Sequence, residues 1–320
     1  MIRRSLGQSG LSAPPIMLGG NVFGWTADRQ TSFDVLDAYV DAGGVLIDTA
    51  DVYSAWLPGH QGGESETLIG EWLRESGRRS SVLIATKVGM LDGEGGKGLE
   101  PSRIAAAAEA SLRRLGVDAI DIYFAHCDDP EVPIPEYLGA FDKLVRSGKV
   151  NAIGASNFTA QRLAEALEVS DVNELAKFSI VQPRYNLVER GEYEGALQDL
   201  IVTQGLAAVP YFALASGYLT GKYRHPADLY ASQRGEWIRP VMEGCGPQIL
   251  AVMDQISKEV GASHVAIAIA WLLAQPGVAA PIASATSVSQ VRHLMAAIEL
   301  RLSDDQIERL TVSGGPPQRA

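Results

Sequence analysis

Short apolar segments rich in β-branched residues alternate with amphipathic segments along the whole of this 320-residue chain. Eight of the apolar segments have the length of a strand, and they occupy residues 15–18, 45–48, 82–87, 120–126, 152–156, 179–182, 207–212 and 278–282. Segments with helical spacing of apolar residues lie between them, at 33–40, 64–76, 101–115, 134–147, 159–167, 193–204, 249–259 and 265–274. Apolar strands that alternate with helices indicate an α/β fold whose parallel sheet is covered by helices.

Eight such units favour a closed (β/α)8 TIM barrel over an open, doubly wound sheet. An open sheet usually carries a GxGxxG turn after its first strand, whereas residues 19–24 read GGNVFG. Residues 4–12 predict a β-hairpin in front of the barrel. Residues 217–247 form a long loop after strand 7, and loops of that length are usually functional. We predict a single domain over residues 1–320.

Charge and cysteine content narrow the class of protein. The chain has 27 basic and 38 acidic residues, a net charge of −11, so we expect no nucleic-acid partner and no anionic membrane surface. Only Cys127 and Cys245 are cysteines, and they predict neither a disulfide framework nor a metal site. The first residues lack the apolar segment of a secretory signal, and no apolar run is long enough to span a membrane. These features predict a soluble cytoplasmic protein.

Polar side chains cluster where the predicted strands end, which is where barrels of this kind build their active sites. These strand-end residues are Asp48, Lys87, His126, Ser156, Asn157, Gln182 and Tyr211, and Tyr53 follows Asp48 on the same loop. Taken singly, each has an ordinary explanation as a helix cap, a solvated charge or a loop anchor. An acid, an ammonium, an imidazole and a phenol on three neighbouring strand ends are harder to explain in that way, so we predict a reaction centre there.

Six segments in this order and spacing strongly resemble the aldo-keto reductase superfamily, in particular its bacterial members of the potassium-channel β-subunit type. They are 48–53 (DTADVY), 63–70 (GESETLIG), 84–87 (IATK), 121–126 (DIYFAH), 154–158 (GASNF) and 182–186 (QPRYN). The resemblance extends from about residue 4 to residue 310. It implies a (β/α)8 barrel and an NAD(P)H-dependent oxidoreductase that reduces an aldehyde or ketone to an alcohol, or runs the reverse oxidation.

The resemblance makes Asp48, Tyr53, Lys87 and His126 the catalytic residues, and elementary chemistry fits these roles. Reduction of a carbonyl needs a hydride at carbon and a proton at oxygen, and Tyr53 is the expected proton donor. We expect the Lys87 ammonium to lower the pKa of Tyr53, and Asp48 to pair with Lys87. His126 is expected to hydrogen-bond the substrate oxygen and orient it.

The resemblance also assigns residues to the cofactor. Ser156, Asn157 and Gln182 resemble the group that binds the nicotinamide carboxamide, and Tyr211 resembles the aromatic residue on which the nicotinamide stacks. The residues expected along the phosphates and the adenosine are Ala213, Leu214, Ser216, Gly217, Leu219, Gly221, Lys222, Ala283, Ser284, Thr286 and Gln290. The chain departs from the family by having Phe212-Ala213 where Ser-Pro is common.

A second departure concerns the choice between the two nicotinamide cofactors. Many relatives carry Lys or Arg near Ser284, Thr286 or Gln290 to bind the 2′-phosphate of NADP(H), and this chain has none there. His293-Leu294 stands where an acidic residue and Asn usually meet the adenine, although backbone amides and Arg292 offer phosphate ligands. We expect NADP(H) from its frequency in the family, with NAD(H) as a serious alternative.

Phe23, Trp25 and Trp56 lie on the first two loops at the predicted mouth of the barrel, where they either line an aromatic substrate pocket or pack the loops. Trp237, in the long loop, is a weaker candidate to fold over a small-molecule carbonyl substrate. Two other functions stay open: a cofactor-binding regulatory subunit with little turnover, and a Schiff-base lyase that uses Lys87 as its nucleophile. The identity of the substrate and the oligomeric state stay open as well.

Overall fold

The computed structural model describes residues 2–231 and 234–316, so residues 1, 232–233 and 317–320 of the predicted domain lie outside the described residues. Hairpin strands β1 (Arg4–Ser5) and β2 (Ser12–Ala13) pair antiparallel, as predicted. Eight further strands form one parallel sheet, in which β10 lies beside β3 and β3 to β9 follow in chain order. Their bounds are β3 (Met17–Gly19), β4 (Leu46–Asp48), β5 (Leu83–Val88), β6 (Ile120–Ala125), β7 (Val150–Ser156), β8 (Phe178–Gln182), β9 (Ala207–Ala208) and β10 (Ile282–Ala283).

The sheet closes on itself between β9 and the chain that leads into β10. The Ala279 N–H donates to the Ala208 carbonyl over 2.8 Å, and the Ile282 N–H donates to the Pro210 carbonyl over 2.8 Å. An isolated parallel bridge joins Ala208 to Val278. The fold is therefore the predicted (β/α)8 barrel. The eighth strand is displaced from the predicted 278–282 to Ile282–Ala283, since Pro281 has no N–H with which to continue a ladder.

Helices cover the outside of the barrel and agree with most of the predicted segments. They are α1 (Arg29–Asp41), α2 (Glu64–Ser76), α3 (Pro101–Leu115), α4 (Ile134–Arg146), α5 (Ala160–Val172), α6 (Ala196–Thr203), α7 (Gly235–Glu243), α8 (Gly246–Val260), α9 (His264–Ala274), α10 (Val288–Ala297) and α11 (Asp304–Ser313). The prediction of a helix from residue 193 is wrong by three residues. Gly195 has a φ of 95°, which no helix allows, and Tyr193 instead donates its hydroxyl to the Pro276 carbonyl.

The long connection after β9 is more ordered than a loop. It contains 3-10 turns at Ala215–Thr220 and Pro226–Ala231 and then helix α7. Trp237 of α7 lies 6.4 Å from Trp25 between ring centroids, although the two residues are far apart in the chain. The connection therefore folds back over the loop that follows β3.

Within the described residues, no single helix has both the length and the apolar character needed to cross a membrane. Helices α8 and α9 reach that length and composition only when taken together, and the chain bends by 97° between them.

The hairpin covers the amino-terminal end of the barrel. Leu6 is fully buried and belongs to the apolar cluster inside the barrel, together with Leu46 and Ile122. Arg4 donates to the carbonyls of Val278 over 2.7 Å and Leu273 over 3.0 Å. These two bonds join the hairpin to the end of α9 and to the strand that closes the barrel.

We expect Arg4→Ala to lower the free energy of unfolding by about 1–3 kcal/mol, because two carbonyls lose a charged donor. Urea denaturation followed by circular dichroism measures the change. Arg3→Ala is the matched control, since Arg3 is exposed and its side chain bonds, within the described residues, to Ser12 of the same hairpin. It should change stability by less than about 0.5 kcal/mol. Equal losses in both variants would contradict the role given to Arg4.

Candidate active site

The carboxyl ends of neighbouring strands place the predicted reaction residues side by side. Asp48 is the last residue of β4, Lys87 lies near the end of β5, and His126 follows β6 directly. These three strands are adjacent in the barrel, and Gln182 ends β8 on the opposite side of the same rim. Parallel strands all end at one rim, so residues far apart in the chain meet there.

Lys87 is the centre of the hydrogen-bond network. Its side chain is fully buried, and Nζ donates to Asp48 Oδ2 over 2.8 Å, to the Thr49 carbonyl over 2.8 Å and to Tyr53 Oη over 3.1 Å. An ammonium has three N–H donors, so all three are used. Gln182 Nε2 donates to the second oxygen, Asp48 Oδ1, over 2.9 Å. Both carboxylate oxygens are therefore occupied, which holds Asp48 in one orientation.

The loop that carries Tyr53 is anchored by the first residue of α2. The Glu64 carboxylate accepts from the backbone N–H groups of Ser54, Gln61 and Gly62 at 3.1, 2.8 and 3.0 Å. Burial raises the pKa of Glu64, but these backbone bonds outweigh it and hold the pKa below its ordinary value. An ionised carboxylate thus anchors the turn immediately after Tyr53.

The protonation states at this rim differ in part from the sequence expectation. Burial raises the pKa of Tyr53 above its ordinary value, and the Lys87 ammonium offsets that rise only in part. The expectation of a lowered pKa is therefore wrong for this structure, because loss of hydration outweighs one ammonium. Burial alone lowers the pKa of Lys87, but contacts with Asp48 and Tyr53 outweigh it and raise the pKa.

His126 is neutral in this setting. Burial, with the nearby Lys87 ammonium as the second cause, holds its pKa well below the ordinary value. Its ring lies 6.0 Å from the Tyr53 ring between centroids, at an interplanar angle of 72°. A neutral imidazole keeps one N–H donor, so His126 and the Tyr53 phenol can both donate to one oxygen atom.

A second group of polar side chains lies on the strands beyond His126. The Tyr211 hydroxyl donates to Asn157 Oδ1 over 2.7 Å, and Asn157 Nδ2 donates to the His126 carbonyl over 2.8 Å. Asn157 has a φ of 56°, a left-handed conformation that Asn tolerates better than most residues. Ser156 Oγ donates to the Gln182 carbonyl over 3.0 Å. The four predicted nicotinamide residues therefore form one connected group.

A cavity of about 980 Å³ opens at this rim and brings most of the predicted residues together. Those that line it are Asp48, Tyr53, His126, Ser156, Asn157, Gln182, Tyr211, Ala213, Leu214, Ser216, Gly217, Lys222, Ala283, Ser284, Thr286, Gln290, Trp25 and Trp56. Its volume lies at the upper end of the roughly 300–1,000 Å³ typical of ligand sites. Lys87 lies behind the wall and reaches the cavity through Tyr53.

Besides Lys87, three predicted residues do not line the cavity. Phe23, predicted for the substrate, is fully buried in the core, and its neighbour Val22 faces the cavity instead. Leu219, predicted for the cofactor, is also fully buried, and Gly221 is not on the wall. All three residues lie in irregular turns. There, neither the two-residue period of a strand nor the 3.6-residue period of a helix predicts which residues face the cavity.

The structure adds cavity residues that the sequence did not single out. Asn21, Met90, Arg234 and Tyr223 line it, and Trp237, a weaker candidate, lines it as well. The Arg234 guanidinium lies 5.2 Å from the Trp25 ring centroid, and burial lowers its pKa. Arg234 lies in the long connection that the sequence indicated as functional, but no local pattern placed it beside Trp25.

Basic side chains are unevenly distributed around the cavity. Lys222 and Arg234, which lies over Trp25, line the cavity, whereas the end formed by Ser284, Thr286, Gln290, His293 and Leu294 has no Lys or Arg among the described residues that line it. The side chain of Gln290 accepts from the Thr286 N–H over 2.8 Å, and the Ser287 hydroxyl caps α10. That end therefore offers hydroxyl, amide and imidazole groups rather than a permanent charge.

Comparison with known proteins places this geometry in a family. The sequence model described as "Aldo/keto reductase family" matches residues 15–313, which confirms the resemblance seen in the motifs. An uncharacterized oxidoreductase, YrpG of Bacillus subtilis, is 35% identical over 95% of this chain and 93% of its own length. Aldo-keto reductase YhdN of the same species is 32% identical over 85% of this chain and 81% of its own length. A probable voltage-gated potassium channel subunit beta of Oryza sativa is 32% identical over 93% of this chain and 91% of its own length.

Proposed function

The chain belongs to the aldo/keto reductase family and is an oxidoreductase, and we propose that it reduces an aldehyde or ketone to an alcohol with NAD(P)H. The observation that carries the proposal is the hydrogen-bonded series Asp48–Lys87–Tyr53, which ends at a cavity shared with His126. The protonated Tyr53 phenol and the neutral His126 imidazole both line this cavity, with 6.0 Å between their ring centroids. That pair suits a carbonyl oxygen that becomes an alkoxide and then takes up a proton.

Each residue in this series has a chemical task. Tyr53 Oη donates the proton to the substrate oxygen, and the Lys87 ammonium, 3.1 Å away, stabilises the phenolate that is left. Asp48 balances the buried charge of Lys87, which would otherwise cost several kcal/mol. His126 donates a second hydrogen bond that fixes the direction of the carbonyl. The nicotinamide cofactor supplies the hydride that is added at carbon.

The residues around the cavity fit a dinucleotide. The amide and hydroxyl groups of Ser156, Asn157 and Gln182 suit a carboxamide, and Tyr211 presents an aromatic ring beside them. The turn at Ala215–Thr220 contains left-handed residues, among them Gly217 with a φ of 96°, and Lys222 lies next to it. Backbone turns of this kind beside a lysine are suited to a pyrophosphate.

The choice between cofactors rests on the far end of the cavity. We propose NADP(H), on its frequency in the family, and keep NAD(H) as the serious alternative, because no Lys or Arg lines that end in the described chain. We expect NADPH to bind no more than about tenfold more tightly than NADH. A contact between one exposed basic side chain and the 2′-phosphate is worth about 1 kcal/mol or less. Quenching of tryptophan fluorescence by each cofactor measures both dissociation constants. A preference for NADPH above about a hundredfold would reveal a phosphate clamp that this geometry lacks.

The substrate end of the cavity is aromatic. The Trp25 and Trp56 rings lie 5.5 Å apart between centroids, and the Trp56 ring lies 5.7 Å from that of Tyr53. Trp56 is 45% exposed and Trp237 is 57% exposed, and together with Trp25 they form an apolar patch on the cavity wall, as ligand sites often do. This wall favours a carbonyl substrate with an apolar or aromatic body, although Phe23 is not part of it.

The two other functions suggested by the sequence receive less support. A Schiff-base lyase needs a neutral lysine amine at the cavity, whereas Lys87 is buried behind Tyr53 with a raised pKa and three acceptors. A regulatory subunit with little turnover is favoured only by the names of relatives such as the one from rice. Steady-state oxidation of NADPH in the presence of aldehydes separates that function from ours.

Replacement of the proton donor tests the mechanism directly. We expect Tyr53→Phe to lower kcat by about 10²–10⁴-fold, the usual contribution of a general acid, and to leave cofactor binding unchanged. Stopped-flow turnover and fluorescence titration measure the two quantities. Tyr230→Phe is the control, because Tyr230 is 85% exposed and should be without effect. Turnover at the wild-type rate in Tyr53→Phe would exclude Tyr53 as the donor.

The raised pKa of Tyr53 gives a pH dependence with a definite sign. Reduction needs the protonated phenol, which persists up to and beyond about pH 10, so kcat for reduction should stay level between about pH 8 and 10 and fall above. Oxidation of the alcohol needs the phenolate and should rise with pH over the same range. Rates in both directions in one buffer series check this. A fall in reduction that begins near pH 8 would mean that Lys87 outweighs burial.

A further inference from the structure

A cluster of four charged side chains, three of them buried, joins the loop of Tyr53 to α2 and α3 and has no role in the chemistry above. Arg103 Nη2 contacts Asp51 Oδ2 at 3.0 Å, and Arg114 Nη2 contacts Glu66 Oε2 at 2.6 Å. Both carboxylates and Arg103 are buried; Asp51, for example, is 1% exposed. Such a cluster is costly to bury, and hydrophobic replacements are often as stable, so a function is worth seeking.

The contacts of the cluster lead to both loops on the substrate side. Asp51 lies between Asp48 and Tyr53, and its N–H donates to the Lys87 carbonyl over 3.3 Å. Arg103, from α3, holds Asp51 with one nitrogen and donates to the Glu94 carbonyl over 3.2 Å with the other. One guanidinium thus joins the loop of Tyr53 and Trp56 to the loop that begins after β5 and contributes Met90 to the cavity.

We propose that Asp51 and Arg103 are a positioning pair for the reductase reaction. While Asp51 is ionised, the pair holds the loop so that Tyr53 stays within hydrogen-bonding distance of Lys87. The proposal rests on the proposed function for its effect on turnover. Neither residue touches the cavity wall, so both act through Tyr53. A small displacement of Tyr53 Oη changes its distance to Lys87 and to the substrate oxygen, which lowers kcat more than it weakens cofactor binding.

The charges around Asp51 set the pH at which the pair weakens. Burial and then the Glu66 carboxylate raise the pKa of Asp51 to about 7, although Arg103 and Arg114 oppose the rise. Tyr123 of β6, whose pKa is also raised by burial and by Asp51, faces the cluster from the barrel side. Asp51 is therefore charged above about pH 7 and neutral below it. The pair with Arg103 is present at alkaline pH and is lost as the pH falls.

The expected result is a decline of kcat for reduction below about pH 7, which Asp51→Asn removes. Neither Tyr53 nor His126 accounts for such a step, since the pKa of one is raised and that of the other is held well below its ordinary value. Asp51→Asn should show, at every pH between 6 and 8, the low kcat that the wild type shows at pH 6. Its dissociation constant for NADPH should match that of the wild type.

Asp121→Asn is the matched control. Asp121 is a buried carboxylate paired with Arg79 at 2.9 Å, but it lies at the start of β6, away from the Tyr53 loop. This variant should keep the wild-type pH profile even where its stability falls. Arg103→Lys, which keeps the charge but cannot span both loops, should lower kcat at pH 8. A decline near pH 7 that persists in Asp51→Asn would overturn the proposal.

A measurement without turnover separates this proposal from the proposed function. Trp56 lies on the same loop, so its emission, obtained as the difference between wild type and Trp56→Phe, should change near pH 7 in the protein without cofactor. Asp51→Asn should abolish that change. A change that persists in Asp51→Asn would refute the role of Asp51. Absence of turnover in the wild type would refute the reductase function and leave the loop measurement valid.

Discussion

The buried ammonium of Lys87 is the interaction on which the rest of the site depends. An ammonium without exposure to solvent is stable only when each N–H has an acceptor, and this protein supplies a carboxylate, a backbone carbonyl and a phenol. Those three acceptors come from one short segment, residues 48–53, so the requirement to pair Lys87 also fixes where Tyr53 lies. Gln182, from the far side of the barrel, completes the network by binding Asp48.

The barrel brings these groups together at the carboxyl ends of its strands. Parallel strands end at one rim, so Asp48, Lys87 and His126 converge although 39 residues separate the first two. The hairpin and its Arg4 hold the opposite end closed and leave the rim free for loops. The long connection with Trp237 then covers the cavity from the side of the first loop. Stability and chemistry are thus located at opposite ends of the same barrel.

Charge is used in two different ways around the site. At the rim, Lys87 faces a phenol whose pKa stays raised, because burial outweighs one ammonium. Behind the rim, burial and then the Glu66 carboxylate outweigh Arg103 and Arg114 and raise the pKa of Asp51 to about 7. Both shifts arise from the same balance between lost hydration and nearby charge. Neither can be judged from residue types alone.

The sequence by itself determined the barrel and the identity of the strand-end residues, because both depend on short-range periodicity and motif order. The pairing of Asp48 with Lys87 followed from those positions. Only the tertiary structure decided which side chains of the irregular turns face the cavity, and it excluded Phe23 and Leu219. It alone joined Asp51 to Arg103, 52 residues away, and set the direction of the pKa of Tyr53. Burial and long-range contacts are properties of the folded chain, and no local pattern encodes them.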